Sequence, residues 1–568
     1  MLLNKKGKEE PFNYLFNYTC LLALIWIGFT IINSLIKGVD VFDKSLIKLV
    51  ILFVLFLLTQ HLMSGKRAGR VKKIFLVLIL AGGSAEGVIG LLQLQGVLSP
   101  LNIYFPVTGT FRNPAPFALY LAAVFPLSLS VALIPEIKSV PFIKVLATGT
   151  CIVILSILPF TNIRASWIAV LTGAGVVIYF KYGLSAMAPV KRKPFGNKLF
   201  LRAVCIIILF LSLAGSYVLR PLSVAGRALV WKVSAQKFME SPLSGQGYSS
   251  FKKQYNRWQG EYFRQDTLRM EETSLNVHET ASYLAGNVET AYNEYLEIGV
   301  ESGIAGLFLF LSCVTVGVLQ AVRTIRQTKD LFLIGSLGGL SSILMAGLFS
   351  YPLKCLPVLC LFFVFLAIVS GPVYHRSGTQ RSISQFLHVA KIPIAIFSFL
   401  TGILLLHYSL RIFQLKQWEL ASVSFAGGDL GTAGNEYSSA YPCFCDEPLF
   451  LLDYSQCSNQ SGEFKTSLQL LQKAKRLTSD PRLYLLSGQA FQGDGQDDSA
   501  VKEYTFAHYI QPDRLFPEYL LASLYSKQKD TLSAIYYAGK VIRSKPKVES
   551  GTSDRLKYEM EDLIRKYK

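Results

Sequence analysis

The feature that most constrains this chain is a series of apolar runs about 20 residues long, the length that crosses the roughly 30 Å hydrocarbon core of a bilayer at 1.5 Å per residue. About eleven are present, near positions 15–36, 46–63, 74–97, 115–134, 142–160, 165–180 and 199–218, then, after a long polar interval, 304–322, 331–349, 353–369 and 392–406. Lipid offers no partner for backbone N–H and C=O groups, so such runs fold as helices. The expected fold class is therefore all-α, a polytopic transmembrane helical bundle. The first run follows MLLNKKGKEEPFNY without a small-residue cleavage signature and is read as a retained helix, leaving 1–14 as a short N-terminus.

The formal charge of +20 would suit a nucleic-acid binder if Lys and Arg covered one folded face. They gather instead in short loops between apolar runs, the usual topology signal of membrane proteins, and a nucleic-acid role is set aside. With the N-terminus inside, Lys5, Lys6, Lys8, Lys66, Arg67, Arg70, Lys72, Lys73, Lys191, Arg192, Lys193, Lys198, Arg323, Arg326, Lys329, Arg376 and Arg381 all fall on the cytoplasmic side. An odd number of spans then sends the 220–303 loop and the C-terminal tail outside.

Six of the nine cysteines lie in or beside apolar runs and read as small hydrophobes. The remaining three, Cys443, Cys445 and Cys457, lack a paired CxxC frame and a nearby His, so no metal site is expected. A disulfide among them is left open, because it depends on export.

The tail, 412–568, is soluble in composition from about Trp418 and carries a repeat. Small residues recur seven apart at Ala433 and Ala440, Ser467 and Ala474, Ala500 and Ala507, and Ala534 and Val541, with successive offsets of 34, 33 and 34 residues. Pro481, Pro512 and Pro546 follow the later pairs, where a residue lacking an N–H ends a helix. The period resembles a tetratricopeptide array of about four helix pairs, each able to bury its apolar face only against its neighbours.

The 220–303 loop is long and rich in aromatic residues, including Trp231, Phe238, Tyr248, Phe251, Tyr255, Trp258, Tyr262 and Tyr283, which supply enough apolar surface for a folded segment. Within it, Arg227 and Trp231 precede the Pro242-Leu243-x-Gly245-x-Gly247 turn and Phe251. Together with GTFRNPAPFALYLA, NIRASWIAVLTG and AYNEYLEIGVESGIAGLFLF, in this order, the stretch resembles the O-antigen ligase and polymerase family. The resemblance covers the membrane domain, 15–411, and excludes the tail.

Members of that family move a glycan from a polyprenyl diphosphate lipid to an acceptor hydroxyl, with inversion, without a metal or other cofactor. The resemblance thus implies a GT-C-like bundle in a bacterial inner membrane, with the loop and repeat domain periplasmic. It also implies a lipid-linked glycan donor, membrane lipids, and a glycan, lipid or protein acceptor; the helical repeats, whose concave surfaces take peptides or partner proteins, favour a protein acceptor or an assembly partner.

A departing diphosphate accumulates negative charge, which a guanidinium fork stabilises. Arg164 and Arg227 occupy the motif positions for this role, with Arg112, Asn113, Trp231, Asn293 and Glu294 as further substrate contacts. Bland roles compete: interfacial snorkelling for Arg164, a salt bridge for Arg227, and a helix-start turn at Arg112-Asn113. Where many members carry a His before Asn, this chain reads Ala291-Tyr292-Asn293. A phenol is a poor base at neutral pH, so Tyr292 is assigned hydrogen bonding to phosphate or acceptor, with His278 or a carboxylate such as Glu294 as base. An inactive transferase is the remaining alternative. Glu301 is expected to favour the following helix N-terminus.

Two other classes fit many spans: a lipid-linked glycan flippase or transporter, and a membrane anchor displaying the repeats. Mid-span charges and internal symmetry argue for transporters, whereas here the arginines gather beside one loop. Donor glycan, acceptor (lipid A core sugar, second glycan or protein Ser/Thr) and oligomeric state are not written in the sequence.

Overall fold

The computed structural model describes residues 12–39, 43–64, 68–102, 104–134, 141–183, 221–269, 282–371, 411, 414–547 and 549–567. Two of the eleven apolar runs, 199–218 and 392–406, lie outside the described residues. The described residues are all-α, and they group into two units: 1–221 with 241–248 and 291–400, and 222–240 with 249–290 and 401–568.

In the first unit the chain runs through α1 (Phe12–Ile36), α2 (Lys44–Ser64), α3 (Ala68–Leu94), α4 (Pro114–Ala132), α5 (Pro141–Ile157) and α6 (Arg164–Ile178). The second unit interrupts it with α7 (Pro221–Glu240) and α8 (Ser250–Arg269). The first unit then resumes with α9 (Glu294–Thr328), α10 (Leu331–Ala346) and α11 (Leu356–Val369). Among the described residues, seven helices are long and apolar enough to cross a membrane, and α10 and α11 are shorter apolar helices.

The bundle is built around α4, α6 and α10. Lipid tails are as apolar as leucine side chains, so these helices gain little from hydrophobic burial and associate by close packing. Small residues allow it. A Cβ on Gly338 would meet the Pro126 Cβ at 2.7 Å, and one on Gly173 would meet the Gly338 carbonyl oxygen at 2.8 Å. The Ser342 hydroxyl donates to the Ala169 carbonyl at 2.7 Å, tying α10 to α6 without leaving a buried donor unpaired. Large apolar side chains such as Leu24, Ile32, Leu78, Val145, Ile152 and Phe308 point outward, as a lipid-facing surface requires.

Two contacts sort the ends of the bundle. Lys72, at the start of α3, pairs with Asp330 at 2.7 Å, between α9 and α10. At the end of α1, Asn33 donates to the Ser244 carbonyl at 2.6 Å and Ser34 accepts from the Tyr248 N–H at 3.0 Å. The Lys72 and Asp330 loops, both assigned to the basic side by charge counting, thus share one end.

In the second unit a helix over 414–426 leads into α12 (Leu430–Phe444), α13 (Pro448–Gln460), α14 (Phe464–Leu477), α15 (Pro481–Gly493), α16 (Asp497–Ile510), α17 (Leu515–Lys527), α18 (Thr531–Arg543) and α19 (Gly551–Tyr567). The small residues seven apart all fall on α12, α14, α16 and α18, the second helix of each pair. Every one is at most 1% exposed. They mark where neighbouring helices approach most closely, which is why a larger side chain is excluded there. Pro481 opens α15 as its first residue, where its missing N–H costs nothing. Cys443, Cys445 and Cys457 are free thiols.

Candidate functional site

The sequence Ala291-Tyr292-Asn293-Glu294 forms a tightly determined helix start. Asn293 is the N-cap of α9, its side-chain oxygen accepting from the Leu296 N–H at 3.0 Å. Tyr292 is forced into the left-handed region with φ 52°. Its ring lies edge-on to Tyr351, with centroids 5.7 Å apart. The Glu294 N–H donates to the Gly347 carbonyl at 2.8 Å, and the Glu294 carboxylate accepts from the Leu353 N–H at 2.7 Å. The junction is thereby pinned to the turn joining α10 and α11.

Nine residues later the helix breaks at Gly303, with φ 66° and ψ −174°. Breaking a helix inside a membrane protein frees backbone groups that must find partners. The turn over 241–248 supplies them. Gln246 and Gly247 N–H groups donate to the Val300 and Glu301 carbonyls, each at 2.8 Å, while the Ile304 N–H donates to the Pro242 carbonyl at 2.8 Å. Gly245, with φ 69°, comes so close that a Cβ there would meet the Gly303 nitrogen at 2.6 Å. The Pro-Leu-x-Gly-x-Gly motif is thus the complement of a broken helix, and the contact needs a glycine on each side, Gly245 in the turn and Gly303 in α9.

Spacings of three and four residues put Glu294, Glu297 and Glu301 on one face of the first half of α9, all at most 4% exposed. Such a cluster requires compensation. Lys354, on the turn before α11, lies 2.5 Å from Glu297 and 3.9 Å from Glu301, its side chain 32% exposed. Burial alone would lower the ammonium pKa, but Glu297, then Glu301 and Glu294, outweigh it and hold Lys354 well above the ordinary lysine value. The second Glu297 oxygen accepts from the Ala291 N–H at 2.8 Å. Burial raises the Tyr248 phenol to about 12, with Lys354 pulling the other way, so Tyr248 stands as a neutral phenol near the carboxylates. Glu301, two residues before the break at Gly303, thus also faces this cation.

The other candidates are placed by their local structure. Arg164 is the first residue of α6, half-buried after the left-handed Asn162. Arg112 is exposed, and Asn113 is the N-cap of α4, accepting from the Ala115 N–H at 2.9 Å ahead of Pro114. Just before them Gln93 holds Gly109, donating to its carbonyl and accepting from its N–H, each at 2.8 Å. Glu86 accepts from the Thr110 N–H at 3.0 Å. Arg227 and Trp231 sit one turn apart on α7 in the second unit, both half-buried. His278 lies outside the described residues.

The structure therefore groups Tyr292, Asn293 and Glu294 with three residues that sequence reasoning passed over, Glu297, Tyr248 and Lys354. Two signals pointed to them: the carboxylate spacing in EYLEIGVE and a lone lysine in the apolar stretch YPLKCLP. Asn113 and Asn293 carry cap roles that their positions before Pro114 and Glu294 foreshadow.

Residues 149–311 match the family model for O-Antigen ligase. The matched segment contains Arg164, Arg227, Trp231, Tyr292, Asn293 and Glu294, and ends before the turn bearing Lys354. A search of the curated proteins found no match.

Proposed function

We propose that this chain, which carries an O-antigen ligase-like domain at 149–311, is a membrane glycosyltransferase that moves a glycan from a polyprenyl diphosphate to an acceptor hydroxyl on the non-cytoplasmic face. The reading rests on one observation. The matched segment holds both motif arginines, Arg164 opening α6 and Arg227 on α7, together with the Tyr292-Asn293 helix start. Arg164 and Arg227 stabilise the charge that develops on the departing diphosphate, since guanidinium remains charged at any working pH. Tyr292 hydrogen-bonds a phosphate or the acceptor, and His278 takes the acceptor proton. Glu294 is less suited to that last task, because one of its oxygens already accepts from Leu353.

The topology that accompanies this reading is a multi-pass protein of a bacterial inner membrane, with its N-terminus cytoplasmic and the 412–568 domain, a tetratricopeptide-like array, in the periplasm. Basic residues in alternate loops support it.

The test is reconstitution in proteoliposomes with radiolabelled lipid-linked glycan. Label appearing on an added acceptor supports glycan transfer. Label crossing the bilayer with the lipid diphosphate intact assigns the chain to the flippases and ends the proposal.

A further inference from the structure

The repeat helices share a unit with the loop helices α7 and α8, and the contacts between them are specific. Helix α8 is polar on average, yet Phe251, Tyr255, Asn256, Gln259 and Phe263 are at most 2% exposed. Gln259 donates to the Ile510 carbonyl at 2.7 Å and to the Gly286 carbonyl at 3.0 Å, so one amide joins α16 of the repeats to the returning limb of the loop. The Asn256 N–H donates to the Ser479 hydroxyl at 3.1 Å, and its side chain bonds Asn287 at 2.7 Å and the Val288 N–H at 2.9 Å. Lys547, beyond the last repeat pair, donates to the Ala285 carbonyl at 2.5 Å. A Cβ on Gly260 would meet Ile510 Cγ1 at 2.9 Å and Phe506 Cζ at 3.2 Å, which places the α8 backbone directly on α16.

Helix α8 in turn holds α7. Lys237 pairs with Glu261 at 3.3 Å and Lys232 donates to the Tyr262 hydroxyl at 2.8 Å. Gln259 and Asn256, buried and bonded on both sides, fix the seat of α8 in a way that apolar contact alone does not, because any sliding leaves them unpaired.

We propose that the partner of this repeat surface is the chain's own loop: Ser479, Phe506 and Ile510 clamp α8, Lys547 holds the returning limb at Ala285, and α8 in turn holds the Arg227-bearing helix α7. Gln259 and Asn256 are positioning residues. The repeats then set the rate of transfer to every acceptor and do not choose among acceptors through this face, because it is already covered. The catalytic half of the proposal rests on the function proposed above; the clamp itself does not.

The test uses the full chain in detergent and in proteoliposomes. Gly260→Trp wedges α8 away from α16, Gly260→Ala adds one methyl against Ile510 Cγ1, and Gln259→Leu removes the bridging amide at similar volume. Hydrogen exchange on α7 and α8 reports the clamp, and transfer to two chemically different acceptors reports its effect. Gly260→Trp and Gln259→Leu are expected to speed exchange in both helices. They should also lower kcat for both acceptors by the same factor, about ten to a hundredfold, with donor KM little changed. Gly260→Ala should show smaller changes of the same kind. Faster exchange in α8 with α7 unaffected, or a kcat loss confined to one acceptor, overturns the proposal. If Gly260→Trp fails to fold, Gln259→Leu carries the same outcomes. Should the unmodified chain transfer no glycan, the functional reading falls and exchange alone decides the clamp.

Discussion

Gly245 and Gly303 lie against each other so closely that a methyl group on the first would meet the backbone nitrogen of the second at 2.6 Å. Both adopt positive φ, 69° and 66°. The contact docks a loop turn into a helix break, and the four residues on either side exchange the hydrogen bonds that the break would otherwise strand.

Gly303→Ala and Gly245→Ala are each expected to destabilise the bundle by about 1–3 kcal/mol from backbone conformation alone, with more from the overlap. Gly226→Ala, in the interior of α7 with nothing within 4 Å of the added methyl, should be neutral or slightly stabilising. Thermal unfolding in detergent checks both, and equal midpoints for all three variants would sink the docking account.

Lys354→Met leaves Glu297 and Glu301 buried without their cation, at an expected cost of about 3–5 kcal/mol. Lys354→Met combined with Glu297→Gln should recover much of that loss. The folded-state pKa of Lys354 is raised. Its contribution is therefore fully present below the ordinary lysine pKa of about 10.4 and is lost only as pH rises through the higher folded value. Thermal unfolding in detergent at pH 7 checks this, and a double variant no more stable than Lys354→Met alone would overturn the pairing.

Arg164→Ala and Arg227→Ala are each expected to lower transfer by about a hundredfold or more while the protein remains inserted. Lys at either position keeps the charge but loses the planar fork, and should restore only part. Initial rates with labelled donor, normalised to inserted protein, read this out. Normal rates in both alanine variants would remove the diphosphate-binding role.

Tyr292 tests hydroxyl chemistry separately from backbone shape. Its left-handed conformation is tolerated several-fold better by His, Asn and Asp than by β-branched residues. Tyr292→His should fold normally, and Tyr292→Phe should keep the ring contact with Tyr351 while losing transfer. Tyr292→Val should lose stability as well. Full activity of Tyr292→Phe would eliminate the phenol from the reaction.

Among the C-terminal helices, burial raises the Glu518 carboxyl to about 7 against the opposing pull of Lys540 and Arg543, with the His508 imidazole 3.7 Å away. A carboxyl that holds its proton more tightly when folded stabilises most below its ordinary pKa of about 4.3, and that contribution is lost as pH rises through about 7. Protection of α17 amides, corrected for intrinsic exchange, should fall by up to about 3 kcal/mol across that window. Glu518→Gln should flatten the dependence.

The apolar run lengths determined by themselves that this chain is an all-helical membrane protein, because lipid leaves the backbone no alternative. The seven-residue spacing of Ala433, Ala440 and their counterparts likewise determined the helix pairs of the tail, since both signals are local and periodic. Asn113 and Asn293 were legible as polar residues at helix starts, where both side chains accept cap hydrogen bonds. Tertiary structure alone decided that the Gly245 turn fills the break at Gly303, that Lys354 answers Glu297 and Glu301, and that the repeats seat the loop helix through Gln259 and Ile510. Those pairings join residues far apart in the chain, and their free energy depends on burial and on which partner satisfies each polar group, neither of which any window of sequence records.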